Sequence, residues 1–503
     1  MSKTSALALA AVLASLGQNP AFASLDEDPF VYDRAFNGGV ALEDRFASPT
    51  TASYLLGLRL ARAANGDVIA AGVVPAAFQS SPPANNLGLV RYGPHGERLA
   101  WSAPSSQFVF FEDRYVDYPN SASGNVGWVD DLKVIGGRIY ALTDSSGGSR
   151  DVRIAIFTDG GAFIDDVPAF TTGLDETGAA LIPYTYPTFD GSGNPVTQQM
   201  LIAVATYATS IGRQIITMKR FVVSPIDGSL AVDLSFGVSN NGAMDQPLPD
   251  SFCDAGANCS WIVADGVAAR DTINAPTLYL TGTVMTSASA SNAFVAAING
   301  YDGSMATTFG HGDGIYVNYL AGSTSGVSVA VAPAADAAND VVYLASNESE
   351  SCGQKGAVTK LRAEVTTAQG TMTLPDFLWA DGGTRDIGGN PGSCGNVFTF
   401  LTHLVLDGDR LAFSGYENLV ALPDPLFSVV RVSDGTLTEF ARAGFTAMRA
   451  DGTPWGGAVF ADIVAMGGGR YATTGYLYDA SAGNALLFGT SQLVADRIFG
   501  DGF

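Results

Sequence analysis

The sequence predicts an all-β fold, a β-propeller of about seven four-stranded blades. Three observations predict it. One unit of strand, Gly turn, strand, loop, strand, Gly turn and strand recurs seven times along the chain. The copies follow one another at about 60 to about 76 residues, the length that four short strands and their loops need. The composition suits many short strands: 59 Gly and only 15% charged residues, with 47% hydrophobic. A single hydrophobic core stops growing near about 250–300 residues, so 503 residues call for several domains or a repeat, and the recurrence selects the repeat.

The first copy is the clearest. "YLLGLRLARAANGDVIAAG" (54–72) is a strand, an Asn65-Gly66-Asp67 turn and a second strand. "NNLGLVRYGPHGERLAWS" (85–102) is the second hairpin, turned by Gly-Pro-His-Gly. The same order follows in "DDLKVIGGRIYALT" (130–143) with "DVRIAIFTDGGAFIDD" (151–166), and in "MLIAVAT" (200–206) with "RQIITMKRFVVSPIDGSLAVDLSFG" (213–237). It continues in "TLYLTGT" (277–283) with "NAFVAAINGYDGSMATTFGHGDG" (292–314), and in "DVVYLAS" (340–346) with "GAVTKLRAE" (356–364). The last two are "HLVLDGDRLAFSG" (403–415) with "FSVVRVSDGTLTEF" (427–440), and "ADIVAMGGGRYATTG" (461–475) with "ALLFGTSQLVAD" (485–496). The inner hairpins are expected to end near Gly72, Thr143, Thr206, Gly282, Ser346, Gly415 and Gly475.

These units resemble the delta-60 repeat of bacterial β-propellers, which couples a "DGKIVVAG"-type hairpin to a "LARYNADGSLDTSFG"-type one. "NGDVIAAG" (65–72) and "LVRYGPHGERL" (89–99) are similar to the two halves, and "SPIDGSLAVDLSFG" (224–237) and "NGYDGSMATTFGHGDG" (299–314) to the end. The resemblance covers most of residues 24–495 and is weakest at 340–364 and 461–496. It implies the propeller fold and no activity.

A propeller must join its first and last blades, or a sheet edge is left unpaired. "DRAFNGG" (33–39) has the form of a unit's end but precedes the first unit, so the N-terminal piece is expected to add a strand to the last blade. "DRIFGDGF" (496–503) is either that blade's closing turn or a sorting or processing tail. Residues 1–23 read as a signal peptide: Lys3, an apolar run from Ala6 to Leu16, and a cleavage site of small-x-small form at Ala21-Phe22-Ala23. The expected location is therefore secreted or periplasmic. No later segment is apolar for about 20 residues, so no membrane span is expected.

Four cysteines fit an oxidising compartment. Proximity along the chain pairs Cys253 with Cys259 and leaves Cys352 with Cys394, although four cysteines allow three pairings. No C-x2-C spacing supports a zinc site.

The net charge of −23, with no basic cluster, argues against nucleic acid and anionic membrane surfaces as partners. Of three histidines, His95 and His311 sit in Gly-rich turns read as related, and His403 at a strand start. They are not expected to converge on a triad or metal centre. No nucleophile-elbow, zinc-protease or phosphate-loop motif occurs.

Carboxylates are the remaining chemical candidates: Glu112, Asp113 and Asp117 in "FFEDRYVDY", Asp407 and Asp409 in "LDGDRL", and Asp190 in "DGSGN". Paired acids would serve a glycosidase and Asp-Gly loops a calcium ion, but the plain reading is turn capping, and no cofactor beyond calcium is suggested. Trp101, Trp128, Trp261, Trp379 and Trp455 read as blade packing, some of them open to lining a central funnel.

The expected function is binding or scaffolding, with an unidentified protein or saccharide held in the funnel or by loops at 103–128, 167–198 and 367–398. One alternative is an enzyme acting on polysaccharide, which would show two acids of raised pKa converging in the funnel. The other is a structural subunit of a cell-envelope complex.

Overall fold

The computed structural model describes residues 42–43, 56–75, 85–102, 116–118, 126–145, 150–189, 192–209, 212–237, 241–249, 252, 259–269, 276–287, 290–319, 322–334, 339–350, 353–367, 370–388, 398–418, 423–442, 457–478 and 485–493. They form seven blades of antiparallel strands around a channel.

Blade 1 is built from Leu56–Arg62, Val68–Pro75, Asn85–Tyr92 and Arg98–Leu99, with Val116–Tyr118 also on its third strand. Blade 2 runs through Val126–Ile135, Arg138–Ser145, Val152–Thr158 and Phe163–Phe170. Blade 3 consists of Glu176–Phe189, Pro195–Ala208, Gln214–Val223 and Leu230–Val232, plus Ala243–Gln246. Blade 4 has Ser260–Ala268, Thr277–Ser287, Ala290–Asn299 and Ile315–Asn318. Blade 5 has Ser323–Ala332, Val341–Glu350 and Gly353–Thr367, with Gly370–Pro375 and Thr384–Ile387 sharing the outer edge. Blade 6 is Phe398–Asp407, Arg410–Asn418, Pro423–Arg431 and Leu437–Arg442.

Blade 7 combines Gly457–Gly467, Arg470–Tyr478 and Ala485–Leu493 with Leu42–Glu43 from the other end of the chain. Leu42 faces Phe488 and Glu43 faces Leu487, so the N-terminal piece closes the ring as its position before the first unit implied.

The sequence sets each strand's depth. Second strands are buried through their middles because each is covered on both faces by neighbouring blades: in Arg138–Ser145 every residue after Arg138 is buried. The outer strand Phe163–Phe170 is mostly accessible until its last two residues.

The two halves of the repeat meet between blades. Asp227, Asp302 and Asp434 each cap their own Asp-Gly turn by accepting the N–H of Ser229, Ser304 and Thr436, at 3.0, 2.9 and 2.8 Å. Their glycines have φ of +77°, +79° and +72°. Gly303 and Gly435 press on Phe236 and Trp379 of the preceding blade, and Gly161 presses on Trp101 in the same way. A methyl group added at Gly161 or Gly303 would come within 2.8 or 2.7 Å of those rings. Trp101, Trp261 and Trp379 are all buried, as packing residues should be.

Several expectations need correction. The small residues at 72, 143, 206, 282, 346, 415 and 475 do not end their strands; each strand runs two or more residues further. Each lies on the second strand beside a β-bulge of the inner strand. The bulge drives an inner-strand carbonyl against the second strand, leaving no room for a side chain at the glycines. A Cβ at Gly282, Gly415 or Gly475 would stand 1.9, 2.1 or 1.7 Å from the carbonyl oxygen of Ile262, Phe400 or Val459.

The stretch 167–198 is not a loop but carries most of blade 3's inner hairpin, and 367–398 holds two short strands. "ETGAALIPYTYPTF" hid its strand because two prolines and a glycine interrupt the alternation. "MLIAVAT" (200–206) lies in the second strand, Pro195–Ala208. His403 lies mid-strand rather than at a strand start. His95 turns between the third and outer strands of blade 1, whereas His311 follows Phe309 beyond such a turn, so their positions are not related. Ala21, Ala23, Cys253, Cys352, Cys394, Glu112, Asp113, Asp190, Trp455 and the stretches 33–39 and 496–503 lie outside the described residues; Cys259 is buried.

Candidate functional site

All seven inner strands carry a bulge at the same depth, and the residues there face a common cavity of about 690 Å³ at one mouth of the channel. Leu58, Asp130, Ala179, Ala264, Val327, Thr402 and Ala461 line it, one from each blade.

The residue after the bulge serves the ring instead. Asp131, Asp265 and Asp462 each accept their next residue's N–H at 2.7 Å with one oxygen. The other oxygen accepts the N–H of Leu181, Val329 or Leu60 in the next blade, at 2.7, 3.0 and 2.7 Å. Elsewhere Thr206 receives Val263 N–H, Asn347 receives Leu401 N–H, Thr402 donates to Phe460 O, and Arg59 donates to Asp130 O. Every blade junction is thus hydrogen-bonded near the axis. Lys133 points among the three aspartates and is held by Asp131 at 2.8 Å. Burial works against its charge, but Asp131 first and then Asp265 and Asp462 override it and raise its pKa.

The mouth has a charged wall and an apolar one. Blades 1 to 3 supply Arg59, Trp128, Asp130, Asp144, Arg150 and Thr177, whereas Val263, Val327, Leu401 and Val459 face them from blades 4 to 7, with Tyr416 and Tyr476 beside them. Asp130 and Asp131 are consecutive, and in a regular strand their side chains would take opposite faces. The bulge turns Asp130 into the cavity and Asp131 into the blade junction.

Asp130 is 6% exposed and Asp144 4%. Asp130 Oδ2 and Asp144 Oδ1 have no hydrogen-bond partner among the described residues. Asp130 Oδ2 rests on Gly178, where a Cβ would come to 2.2 Å. Burial first, and then the Asp144 charge, holds the Asp130 carboxyl well above the usual range. Burial also lifts Asp144 to about 6, with Arg150 opposing. Arg59 spends its guanidinium on backbone, donating to the carbonyls of Asp130 and Leu58 at 2.7 and 3.1 Å. Nearby, Glu176 accepts from the N–H and hydroxyl of Thr172, and burial raises its pKa against those bonds. Trp128 is 40% exposed, and Tyr416 stacks on Phe400 at 4.8 Å.

This arrangement can accept hydrogen bonds through two carboxyls and stack a flat or apolar ligand face, and both carboxyls are held above the usual carboxylate range. Among the described residues no group of three or more side chains is placed to hold a metal ion.

The sequence candidates fall elsewhere. His95 and His311 are exposed in turns away from the cavity. His403 Nδ1 is 3.6 Å from Asp462 Oδ1, at the level of the junction aspartates. Asp409 accepts Ser433 N–H at 3.1 Å in a turn, and Asp117 belongs to the strand Val116–Tyr118. Of the described tryptophans only Trp128 lines the funnel. Sequence reasoning missed Asp130, Asp144, Arg59 and Arg150. The available signal was a pair of acids, Asp130-Asp131, in an inner strand whose one other charged residue is Lys133.

No family model and no curated protein matches the chain. Solved structures resemble it distantly. An ulvan lyase of a new polysaccharide lyase family, bound to -[GlcA(1-4)Rha3S]-, is 10% identical with a TM-score of 0.41, over 76% of this chain and 80% of its own. A Hadza microbial sialidase is 11% identical with a TM-score of 0.41, over 82% and 74%. A leech intramolecular trans-sialidase is 11% identical with a TM-score of 0.37, over 91% and 71%. No residue role passes from them to this chain.

Proposed function

We propose that the protein is an exported binding module of the delta-60 type that takes a saccharide at the channel mouth. The observation that carries this reading is the pair of buried carboxyls, Asp130 and Asp144, which line a cavity edged by Trp128, Tyr416 and Tyr476 and each hold one oxygen without a hydrogen-bond partner among the described residues. Sugar hydroxyls donate to carboxyl groups, and the apolar face of a sugar ring packs on aromatic side chains. The volume falls within the about 300–1,000 Å³ usual for small-ligand sites. A thermal-shift screen of the full chain against neutral, amino and acidic oligosaccharides tests it. Binding is expected to raise the melting temperature, and Trp128→Ala to abolish the rise while melting normally by itself. A screen in which no saccharide moves the transition rules the reading out.

One observation favours a second reading, cleavage of a glycosidic bond. Both acids are raised and adjacent, so one can hold a proton while the other is ionised, the division of labour that acid–base hydrolysis needs. Release of reducing ends from any bound oligosaccharide, lost in Asp130→Asn and in Asp144→Asn, would support it.

A further inference from the structure

We infer that the channel mouth selects saccharides bearing a protonated amino group, through the carboxyls of Asp130 and Asp144 and the aromatic edge of Trp128, Tyr416 and Tyr476; this rests on the saccharide reading of the same cavity.

The charge at this end of the channel argues for a cation. Asp144 faces Asp130 from the second strand of blade 2, and Asp131 adjoins it on the same strand. Glu176, at the head of blade 3's inner strand, feels Asp151 and Asp175. Against these six acids stand three bases among the described residues. Arg59 is turned to two carbonyl oxygens, Lys133 is bound by Asp131, and Arg150 lies beside Asp144.

The acid excess accompanies a desolvated setting, and both channel-facing acids are held above the ordinary range. An ammonium group entering the cavity would give the two carboxyls a charged donor and offset the excess. A carboxylate or sulfate would enlarge it. The aromatic edge adds in the same sense, because ring faces attract ammonium groups within about 6 Å. A hydroxyl-only sugar can donate to the two carboxyls but leaves the charge as it was.

The test is isothermal titration calorimetry of the full chain with three tetrasaccharides: β-1,4-linked glucosamine, its N-acetylated counterpart, and oligogalacturonate. Near pH 7 the glucosamine tetramer is expected to bind at least about tenfold tighter than the N-acetylated one, and the uronate weakest. The preference should shrink toward about pH 5, where the ligand amine stays charged but the protein acids take up protons. Asp130→Asn should lose the amine preference while melting no lower than the native protein. Equal or tighter binding of the acetylated or uronate tetramer overturns the inference and leaves the saccharide reading standing, as does an amine preference that survives in Asp130→Asn. Binding of none of the three removes both.

Discussion

Asp462 of the last blade accepts the backbone N–H of Leu60 in the first at 2.7 Å, across 402 residues of chain. The bond closes the ring near the axis while Leu42–Glu43 closes it at the rim. Asp131 and Asp265 make the equivalent bond to the following blade, so closure uses the same device as two internal junctions.

Asp462→Ala should destabilise the protein by about 1–3 kcal/mol, because it leaves the N–H of Leu60 buried without an acceptor. Asp462→Asn keeps a carbonyl oxygen and should cost less. Urea unfolding of both variants checks this, and equal losses would show that the bond to Leu60 is not what matters.

Ala380 is the single non-glycine residue with positive φ among those described, at +49°. It follows the buried Trp379, where Gly237 follows Phe236 and Gly310 follows Phe309, at +80° and +68°. The repeat places glycine there because L side chains crowd the backbone in that region. Ala380→Gly should stabilise the protein by about 0.5–1 kcal/mol, read as a higher urea midpoint with unchanged slope. A lower midpoint would contradict the account.

Gly475 sits where a Cβ would stand 1.7 Å from the carbonyl oxygen of Val459. Gly475→Ala must push the bulged inner strand of blade 7 away and should cost about 2–4 kcal/mol. Gly66, in an open turn with nothing within 4 Å of a Cβ, is the control for positive φ alone. Thermal unfolding should rank Gly475→Ala as clearly the worse of the two; the reverse order would refute crowding at the bulge.

Asp144 carries a pH signature. Burial lifts its carboxyl to about 6 in the folded state. The folded form therefore binds this proton more tightly than the unfolded chain does, and stability rises as pH falls through about 6 toward the ordinary carboxylate value. At neutral pH the ionised, buried group is a cost. Asp144→Asn should raise stability near pH 7 by about 1–2 kcal/mol, and the advantage should close by about pH 4. A gap between variant and native protein that stays constant over that range would disprove the linkage.

The sequence by itself determined the architecture. The strand pattern, the Asp-Gly turns and the small residues at the 60- to 76-residue spacing are local, and local signals repeated seven times reinforce one another. They foretold the all-β class, seven blades and an N-terminal closing strand, and they marked Gly282, Gly415 and Gly475 without saying why those positions must be small. Only the tertiary structure decided the site. Asp130 and Asp131 are neighbours in sequence with the same chemistry, yet a bulge sends one to the cavity and the other to a blade junction. Arg59, Asp130, Asp144, Arg150, Tyr416 and Tyr476 come together because the ring brings strands from blades 1, 2, 6 and 7 to one mouth. Periodicity places a residue on a face of its own strand. Which faces meet across the channel is set by ring closure, an interaction between chain ends that no local pattern encodes.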